Sequence, residues 1–296
     1  LSFNMYSAPA TIANYCNMIQ VDESTVRSDP PFIGAAFIRD RTFGGLVISQ
    51  ATNAFTTLNP FLTPHTVNYK FIATANTSTS QQFKLSHFEE DNIASVLAYQ
   101  NEKLVGMGHI RYAHNSDHFD SSSFLCPKYI GSAECYPSTA ELAETFESEI
   151  KEVMTELSKF PLEIRPVESP HNPLSDVNRS SIWLRIKPQF SDDLKPYHGL
   201  SVAMFISDFN IHQVAWEIFE KANVKISFGA SLDHSAWIHE ANLDPLAWYL
   251  TVVKCEVISF GRLWLESRIF DESRKCVMTV VQEGYMLKAE DNISKL

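Results

Sequence analysis

The hydrophobic pattern of the chain shows two apolar helices, each followed by segments that alternate with the period of β-strands. After Gly44-Gly45, apolar residues recur at helical spacing as far as Phe55, and a second apolar helix is predicted over residues 196–209. Strands are predicted at 65–72, 82–87, 93–100 and 103–112 after the first helix, and at 229–239, 248–270 and 275–288 after the second. The strand at 248–270 is long, and Gly261 indicates a bend in it. This repeated order predicts an α+β fold made of two similar units.

The pattern divides the chain into five segments. They are a lead-in (1–18), a first repeat (19–115), a linker of loop and helix (116–160), a second repeat (161–288) and a tail (289–296). In the linker, Ser138 and Glu141 have the spacing of a capping box, which predicts one helix between the repeats. His114, Asp117 and His118 lie in a polar run typical of a solvated surface, so no metal site is predicted there.

The composition excludes several classes of function. The chain has 296 residues, 45% of them hydrophobic and 20% charged, as in soluble globular proteins with a substantial core. A net charge of −11 argues against nucleic acid and anionic membranes as main partners. No apolar run reaches the roughly 18 residues of a membrane span, and no leader indicates secretion. The scattered cysteines indicate free thiols in a reducing compartment; they are Cys16, Cys126, Cys135, Cys255 and Cys276.

The last three residues match a known targeting signal. Ser294-Lys295-Leu296 at a free C-terminus is the tripeptide that the peroxisomal import receptor recognises, and a polar segment precedes it. The sequence therefore predicts localisation in the peroxisomal matrix, with the import receptor as a partner.

One predicted strand, residues 230–239, contains several side chains suited to catalysis. In a regular strand, Leu232 and His234 share one face, and Ser231, Asp233 and Ser235 share the other. Because neighbouring residues face opposite sides, Asp233, His234 and Ser235 do not suit a catalytic triad. Buried structural hydrogen bonds are expected for Asp233 and His234 instead.

Two further segments are predicted to converge on this strand, and they contribute Asp208 and Gln282. With Ser231, these residues offer a carboxylate, a hydroxyl and an amide, a set that suits the holding and deprotonation of a water molecule. A carboxylate at the C-terminal end of a helix opposes the helix dipole, so Asp208 is a better candidate for function than for stability. The trio indicates a hydrolase that attacks an already activated carbonyl group.

Seven segments, in order, resemble the acyl-CoA thioesterase II family. They are FGGLVISQA (43–51), PLEIRPVE (161–168), HNPL (171–174), WLRI (183–186), ISDFN (206–210), ASLDHSAWIH (230–239) and VVQEGYM (280–286). The resemblance implies a double hotdog fold, in which each of two antiparallel sheets wraps around a central helix. It implies hydrolysis of fatty acyl-CoA to fatty acid and coenzyme A by an activated water, without a cofactor, with Asp208, Ser231 and Gln282 as catalytic residues. Relatives associate further, so the resemblance also allows a homo-oligomer.

Further residues are candidates for substrate contacts. Gly44 and Gly45 would either bring the backbone close to the thioester carbonyl or allow a strand to pack closely around the helix. Trp237 and His239 would either line the acyl tunnel or pack in the sheet. Candidate contacts for the phosphates of coenzyme A are Arg179, Lys254 and Arg262.

Two alternatives remain open at this point. One is another acyl-CoA reaction on the same fold, such as hydration of an enoyl-CoA. The other is a catalytically weak acyl-CoA-binding protein, because the first repeat departs from the family's usual sequence at residues 71–75. Release of free thiol from acyl-CoA distinguishes a thioesterase from both.

Overall fold

The body of the protein is one twelve-stranded antiparallel sheet, which covers two central helices. The computed structural model describes residues 12–35, 38–88, 91–114, 125–147, 149–168, 178–209 and 211–289. The helices are α1 (Ile12–Cys16), α2 (Gly44–Leu58), α3 (Thr139–Thr145), α4 (Glu149–Leu157), α5 (Gly199–Ser207) and α6 (Gln213–Lys221).

The strands of the first half are β1 (Ile19–Gln20), β2 (Thr25–Ser28), β3 (Gly34–Ala35), β4 (Ile38–Thr42), β5 (Leu62–Phe71), β6 (Gln81–Phe88), β7 (Ile93–Gln100) and β8 (Lys103–His114). Those of the second half are β9 (Leu162–Pro166), β10 (Arg179–Ile186), β11 (Ile226–Ile238), β12 (Tyr249–Ser259), β13 (Arg262–Phe270) and β14 (Cys276–Lys288). Strands β3 and β4 form a separate two-stranded sheet.

The order of the strands shows an internal duplication. Inside the two edge strands, β1 and β9, the first half runs β2-β6-β7-β8-β5 and the second runs β10-β12-β13-β14-β11. The halves join where β5 pairs with β11, in a ladder centred on Asn68 and Ser235. Each half thus places its helix between its first strand and its central strand, and the predicted α+β double hotdog is confirmed.

The two central helices pack against each other inside the sheet. A methyl carbon at Gly45 would lie 2.3 Å from the backbone oxygen of Phe205, so this glycine allows α2 to approach α5. Ser49 Oγ donates to the backbone oxygen of Ser201 at 2.8 Å, and Ser201 Oγ donates to the Asn53 side chain. The crossing therefore fixes the relative position of the two helices through buried polar bonds as well as apolar contact.

Two predicted elements are wrong in detail. The long strand at 248–270 is two strands, because the backbone turns at Phe260 and Gly261, where φ is 51° and 71°. The single linker helix is two helices, because the backbone at Phe146 is extended, with φ −97° and ψ 154°. The capping box at Ser138 and Glu141 is present as predicted.

Some predictions lie outside the described residues. These are the terminal tripeptide at 294–296, the segment at 171–174, and Asp117 and His118 in the linker. Within the described ranges, no helix is both long and apolar enough to cross a membrane.

Candidate active site

An open cavity of about 520 Å³ lies where the N-terminus of α2 meets the C-terminus of α5. This volume falls within the roughly 300–1,000 Å³ that is usual for small-molecule sites. Its walls come from both halves and are mostly apolar; they include Val47, Phe71, Val105, Leu157, Phe160 and Phe228. Polar side chains on the wall include Asp208, Ser231, His212 and Arg41. A polar group of an extended apolar ligand can therefore meet charged and hydrogen-bonding side chains here.

The carboxylate of Asp208 joins the two helices at the cavity. Asp208 is the C-cap of α5 and is buried, and a methyl carbon at Gly44 would lie only 2.5 Å from its Oδ2. Gly44 is the first residue of α2, where backbone N–H groups lack intrahelical partners and the helix dipole is positive. The position of Asp208 is unfavourable with respect to α5 and favourable with respect to α2. The positive end of α2 thus offsets the unfavourable interaction between the Asp208 carboxylate and the dipole of α5.

A β-bulge positions Ser231. In the β11–β14 ladder, Ser231 pairs with Gly284 and His234 pairs with Gln282, so β11 has one extra residue, Leu232, relative to β14. The bulge brings Ser231 onto the same face as His234, and the predicted alternation, which placed them on opposite faces, is wrong for that reason. The Ser231 hydroxyl donates to Asp208 Oδ1 at 3.1 Å.

Gln282 approaches the same carboxylate oxygen from β14. Its side-chain amide donates to Asp208 Oδ1, and its Nε2 lies 2.5 Å from Nδ1 of His234. The Oε1 of Gln282 is buried and has no hydrogen-bonding partner within the described part of the chain. The structure therefore brings the three predicted residues together, within the span of one bridging water molecule.

The charge state of Asp208 suits a group that accepts a proton. Burial alone would raise the pKa of its carboxyl group, but the imidazoles of His234 and His212 and the amide of Gln282 outweigh burial. The pKa of Asp208 is therefore lowered, and the group is a carboxylate at neutral pH.

Sequence reasoning missed His212, the residue before α6. Its ring packs against the backbone of β14, where a methyl carbon at Gly284 would lie 2.7 Å from its Nε2. That nitrogen is buried and has no partner among the residues described. Burial lowers the pKa of His212, although the charge of Asp208 opposes this effect. The one available signal was Gly284 itself, because a glycine inside a strand marks a close approach.

Arg41 is a second group that the sequence did not reveal. It lies on β4 at the wall of the cavity, and its Nη1 donates to the backbone oxygen of Gly229 at 3.3 Å. Its guanidinium is 5.5 Å from the ring centroid of Phe228. Burial lowers the pKa of Arg41, while the Asp208 carboxylate opposes that effect. The group supplies positive charge beside an apolar cavity.

The remaining candidates for substrate contacts are placed differently. Gly44 faces the cavity, whereas Gly45 serves the contact between helices described above. Trp237 and His239 follow the bulge on the outer face of β11 and do not line this cavity: Trp237 is 40% exposed, and His239 Nε2 lies 2.7 Å from Thr279 Oγ1. Of the two alternatives given for these residues, their position agrees with packing in the sheet and not with lining this cavity.

The predicted phosphate contacts also separate. The guanidinium of Arg262 lies 4.7 Å from the ring centroid of Tyr285, which lines the cavity. Arg179 on β10 and Lys254 on β12 lie opposite each other in the strand ladder, towards the far edge of the sheet. Of the three predicted cations, Arg262 is therefore the one beside the cavity wall.

The rejected triad of Asp233, His234 and Ser235 is not assembled. Ser235 Oγ bonds to Asp233 on the outer face of β11, where Asp233 also pairs with Lys70. His234 points inward and is fully buried. The expectation of buried bonds holds for His234 and is wrong for Asp233, because the latter lies on the partly exposed face.

Comparison with known proteins identifies the family. The model of the acyl-CoA thioesterase C-terminal domain matches residues 136–286, which include Asp208, Ser231 and Gln282. The chain belongs to the acyl-CoA thioesterase family. No match is found among curated proteins.

Solved structures resemble this thioesterase over nearly the whole chain. Acyl-CoA thioesterase II TesB2 from Mycobacterium marinum has a TM-score of 0.73 at 18% identity, covering 94% of this chain and 99% of its own. The TesB protein from Mycobacterium avium subs paratuberculosis has a TM-score of 0.69 at 17% identity, covering 93% and 98%. A dehydratase domain of RzxB from Pseudomonas fluorescens has a TM-score of 0.56 at 10% identity, covering 88% and 93%. At these identities the likenesses show the double hotdog fold alone.

Proposed function

We propose that this acyl-CoA thioesterase hydrolyses fatty acyl-CoA through a water molecule held by Asp208, Ser231 and Gln282. The observation that supports this most strongly is that the side chains of Ser231 and Gln282 both donate to one carboxylate oxygen, Oδ1 of Asp208, beside an apolar cavity. Each residue comes from a different element, α5, β11 or β14, so the arrangement requires the complete second half of the fold.

The water gives a proton to Asp208 as its oxygen attacks the thioester carbon. The carbon–oxygen bond forms while the carbonyl π electrons move to oxygen. These electrons then re-form the carbonyl as the carbon–sulfur bond breaks, and the proton held by Asp208 passes to the departing sulfur, so that the fatty acid and coenzyme A thiol leave and the carboxylate is regenerated. Fixing one water in line with the carbon removes much of the entropic barrier. Because a thioester is already activated, no covalent enzyme intermediate is needed.

The start of α2 is the proposed site of the developing oxyanion. The N–H groups of Gly44 and Gly45 belong to the first turn, which has no intrahelical acceptors for them. Backbone donors and the positive helix end stabilise a negative oxygen without reorganisation. The same geometry explains why Asp208 and the oxyanion site are neighbours: both use the N-terminus of one helix.

The apolar walls of the cavity are the proposed site of the acyl chain. Phe71 lines it from β5, Phe228 lines it from β11, and Phe160 lines it from the connection between α4 and β9. Burial of each methylene contributes about 0.8 kcal/mol. The cavity therefore favours a hydrocarbon chain over a short polar acyl group.

The test is release of free thiol from acyl-CoAs of increasing chain length by the purified protein. Asp208→Asn is expected to lower kcat by at least about 10²-fold, as is common for loss of a base. Asp192→Asn is the matched control, because this aspartate is exposed and lies outside the cavity. If the wild type shifts its melting temperature with acyl-CoA but releases no thiol, the protein is a binder and the proposed reaction is wrong.

We also propose that the enzyme works in the peroxisomal matrix. Support comes from Ser294-Lys295-Leu296 at the C-terminus, together with a family that acts on acyl-CoA. A fluorescent protein fused to the N-terminus should co-localise with a peroxisomal marker, and deletion of Leu296 should leave it in the cytosol. Identical distributions of the two fusions would contradict the proposal.

A further inference from the structure

We propose that His234 is a positioning residue that fixes which way the side-chain amide of Gln282 points. This inference rests on the proposed function, since it has Gln282 accept a hydrogen bond from the attacking water and not donate one to it. It concerns an imidazole that does not touch the substrate cavity but contacts a residue of the site.

The first step is the protonation of the imidazole at Nε2. Ser207 Oγ donates its proton to the backbone oxygen of Met204 at 2.8 Å, as a serine in the last turn of a helix commonly does. Ser207 Oγ also lies 3.0 Å from Nε2 of His234. Because the serine proton is already used, the serine oxygen is the acceptor in this second bond. His234 must therefore carry a hydrogen on Nε2.

The second step is the acceptor at Nδ1. A neutral imidazole with a hydrogen on Nε2 has a lone pair on Nδ1. Nδ1 lies 3.7 Å from Asp208 Oδ1, too far for a hydrogen bond to that carboxylate. The same ring nitrogen lies 2.5 Å from Gln282 Nε2, so the amide donates to it. The other hydrogen of the same amide nitrogen goes to Asp208, whose carboxylate can only accept. The chemistry of the two partners, a carboxylate and an unprotonated ring nitrogen, thus requires the amide nitrogen at this position.

The third step concerns the remaining atom of the amide. Once the nitrogen faces Asp208 and His234, Oε1 points away from both, and this oxygen is buried without a partner among the described residues. A carbonyl oxygen can only accept, so Gln282 accepts a hydrogen from the attacking water and does not donate one to it. The water then donates one hydrogen bond to Gln282 Oε1 and the other to Asp208, and a lone pair of its oxygen stays free for attack. Ser231 helps to hold the water indirectly, because its hydroxyl donates to the Asp208 carboxylate and fixes that group.

The reversed amide would fail at two contacts. It would place Oε1 against the Asp208 carboxylate and against the Nδ1 lone pair of His234, so two acceptor pairs would face each other in a buried site. The carboxylate of Asp208 already favours the orientation in which the amide nitrogen faces it. His234 supplies the second acceptor, which holds the amide plane against rotation between two fixed points.

Substitutions at His234 separate this role from simple packing. His234→Asn retains an acceptor near the Nδ1 position, whereas His234→Gln reaches the Nε2 position and lacks the acceptor beside Gln282. We expect His234→Gln to lower kcat by about 10- to 100-fold, since small misplacements of a catalytic group are costly. KM should change little, because the side chain does not line the cavity. His234→Asn should retain most of kcat, even though it is the smaller side chain and leaves more space unfilled.

The comparison has clear outcomes in thiol-release assays on folded protein, with melting temperatures measured for both variants. If His234→Asn and His234→Gln lose kcat in proportion to their loss of stability, the residue acts only by packing and the inference is wrong. Equal full activity in both variants would overturn it as well.

A second measurement does not depend on activity. Long-range proton–nitrogen NMR correlations of protein labelled at its 10 histidines identify the tautomer of each ring, and the His234→Asn spectrum assigns His234 by difference. We expect a hydrogen on Nε2 and none on Nδ1. A hydrogen on Nδ1 would refute the inference even if the wild type is an active thioesterase. The expected tautomer with no thiol release would instead leave the inference standing and refute the proposed reaction.

Discussion

Alanine at Gly44 and at Gly45 should separate catalysis from stability at two adjacent positions. At Gly44 the added methyl carbon would lie 2.5 Å from Oδ2 of Asp208, so the carboxylate must move by about 0.9 Å to reach an ordinary 3.4 Å contact. At Gly45 it would lie 2.3 Å from the backbone oxygen of Phe205, so the helices must separate by about 1.1 Å. Gly44→Ala therefore displaces the short side chain of Asp208, whereas Gly45→Ala displaces the backbone of α5.

The two displacements have different costs. A shift of about 1 Å in a catalytic group can lower the rate by about 10²-fold, so Gly44→Ala should lower kcat by about 10- to 100-fold. Overpacking of a buried contact costs about 1–3 kcal/mol, and alanine regains up to about 1 kcal/mol of helix propensity at either position. Gly45→Ala should therefore lower the melting temperature by several degrees, whereas Gly44→Ala should change it little.

The assay is thiol release at saturating acyl-CoA, paired with thermal unfolding of the same preparations. A Gly44→Ala enzyme with wild-type kcat would show that Asp208 is not held against α2 in the working enzyme. A larger loss of stability for Gly44→Ala than for Gly45→Ala would contradict the assignment of the two glycines. Either result would refute the reasoning from the distances.

Three further predictions follow from the same contacts. The pKa of Asp208 is lowered and the carboxylate is the active form, so kcat should stay level as pH falls through the weakly acidic range and decline only below the ordinary carboxyl pKa of 3.8. A kcat–pH profile on stable protein would show this, and a decline centred near neutral pH would contradict it. Gly284→Ala should move the ring of His212, 2.7 Å from the added carbon, and lower kcat/KM in the thiol assay without unfolding the sheet. Asp233→Asn should change the free energy of unfolding by less than about 1 kcal/mol in urea titrations, since its partner Lys70 is 63% exposed and such pairs contribute little.

Much of the fold could be predicted because its signals are local. Helical spacing after Gly44 and strand alternation at residues 93–112 predict elements that the structure contains. The turn at Asn101 and Glu102 was also visible, and both residues have the positive φ of a tight hairpin, 47° and 64°. The turn at Phe260 and Gly261 shows the limit: Gly261 indicated a bend, but the sequence did not show that one strand ends at Ser259 and another begins at Arg262, since Phe260 is not a usual turn residue.

The candidate site was predictable only in part, because its geometry depends on the bulge and on distant elements. Regular alternation placed Ser231 away from the face of His234, and only the pairing with β14 reveals the extra residue at Leu232. His212 and Arg41 approach the cavity from segments without a motif. In each case the decisive contact joins residues far apart along the chain, which no local pattern encodes.

The duplication raises the question of whether the first half contains a matching site, and the register of the sheet gives the answer. The β5–β11 ladder is centred on Asn68 and Ser235, so a twofold operation about that point exchanges His234 with Val67. Val67 pairs with Ile110 on β8, just as His234 pairs with Gln282 on β14.

Val67 and Ile110, the first-half equivalents of His234 and Gln282, are both fully buried. Two apolar side chains cannot orient a water molecule, so the equivalent position in the first half is core and not a second catalytic site. The first half contributes differently, through the start of α2, which supplies Gly44 and the positive helix end facing Asp208. One site per chain then requires that Asp208→Asn remove nearly all turnover, and a variant that kept half of it would disprove this division between the halves.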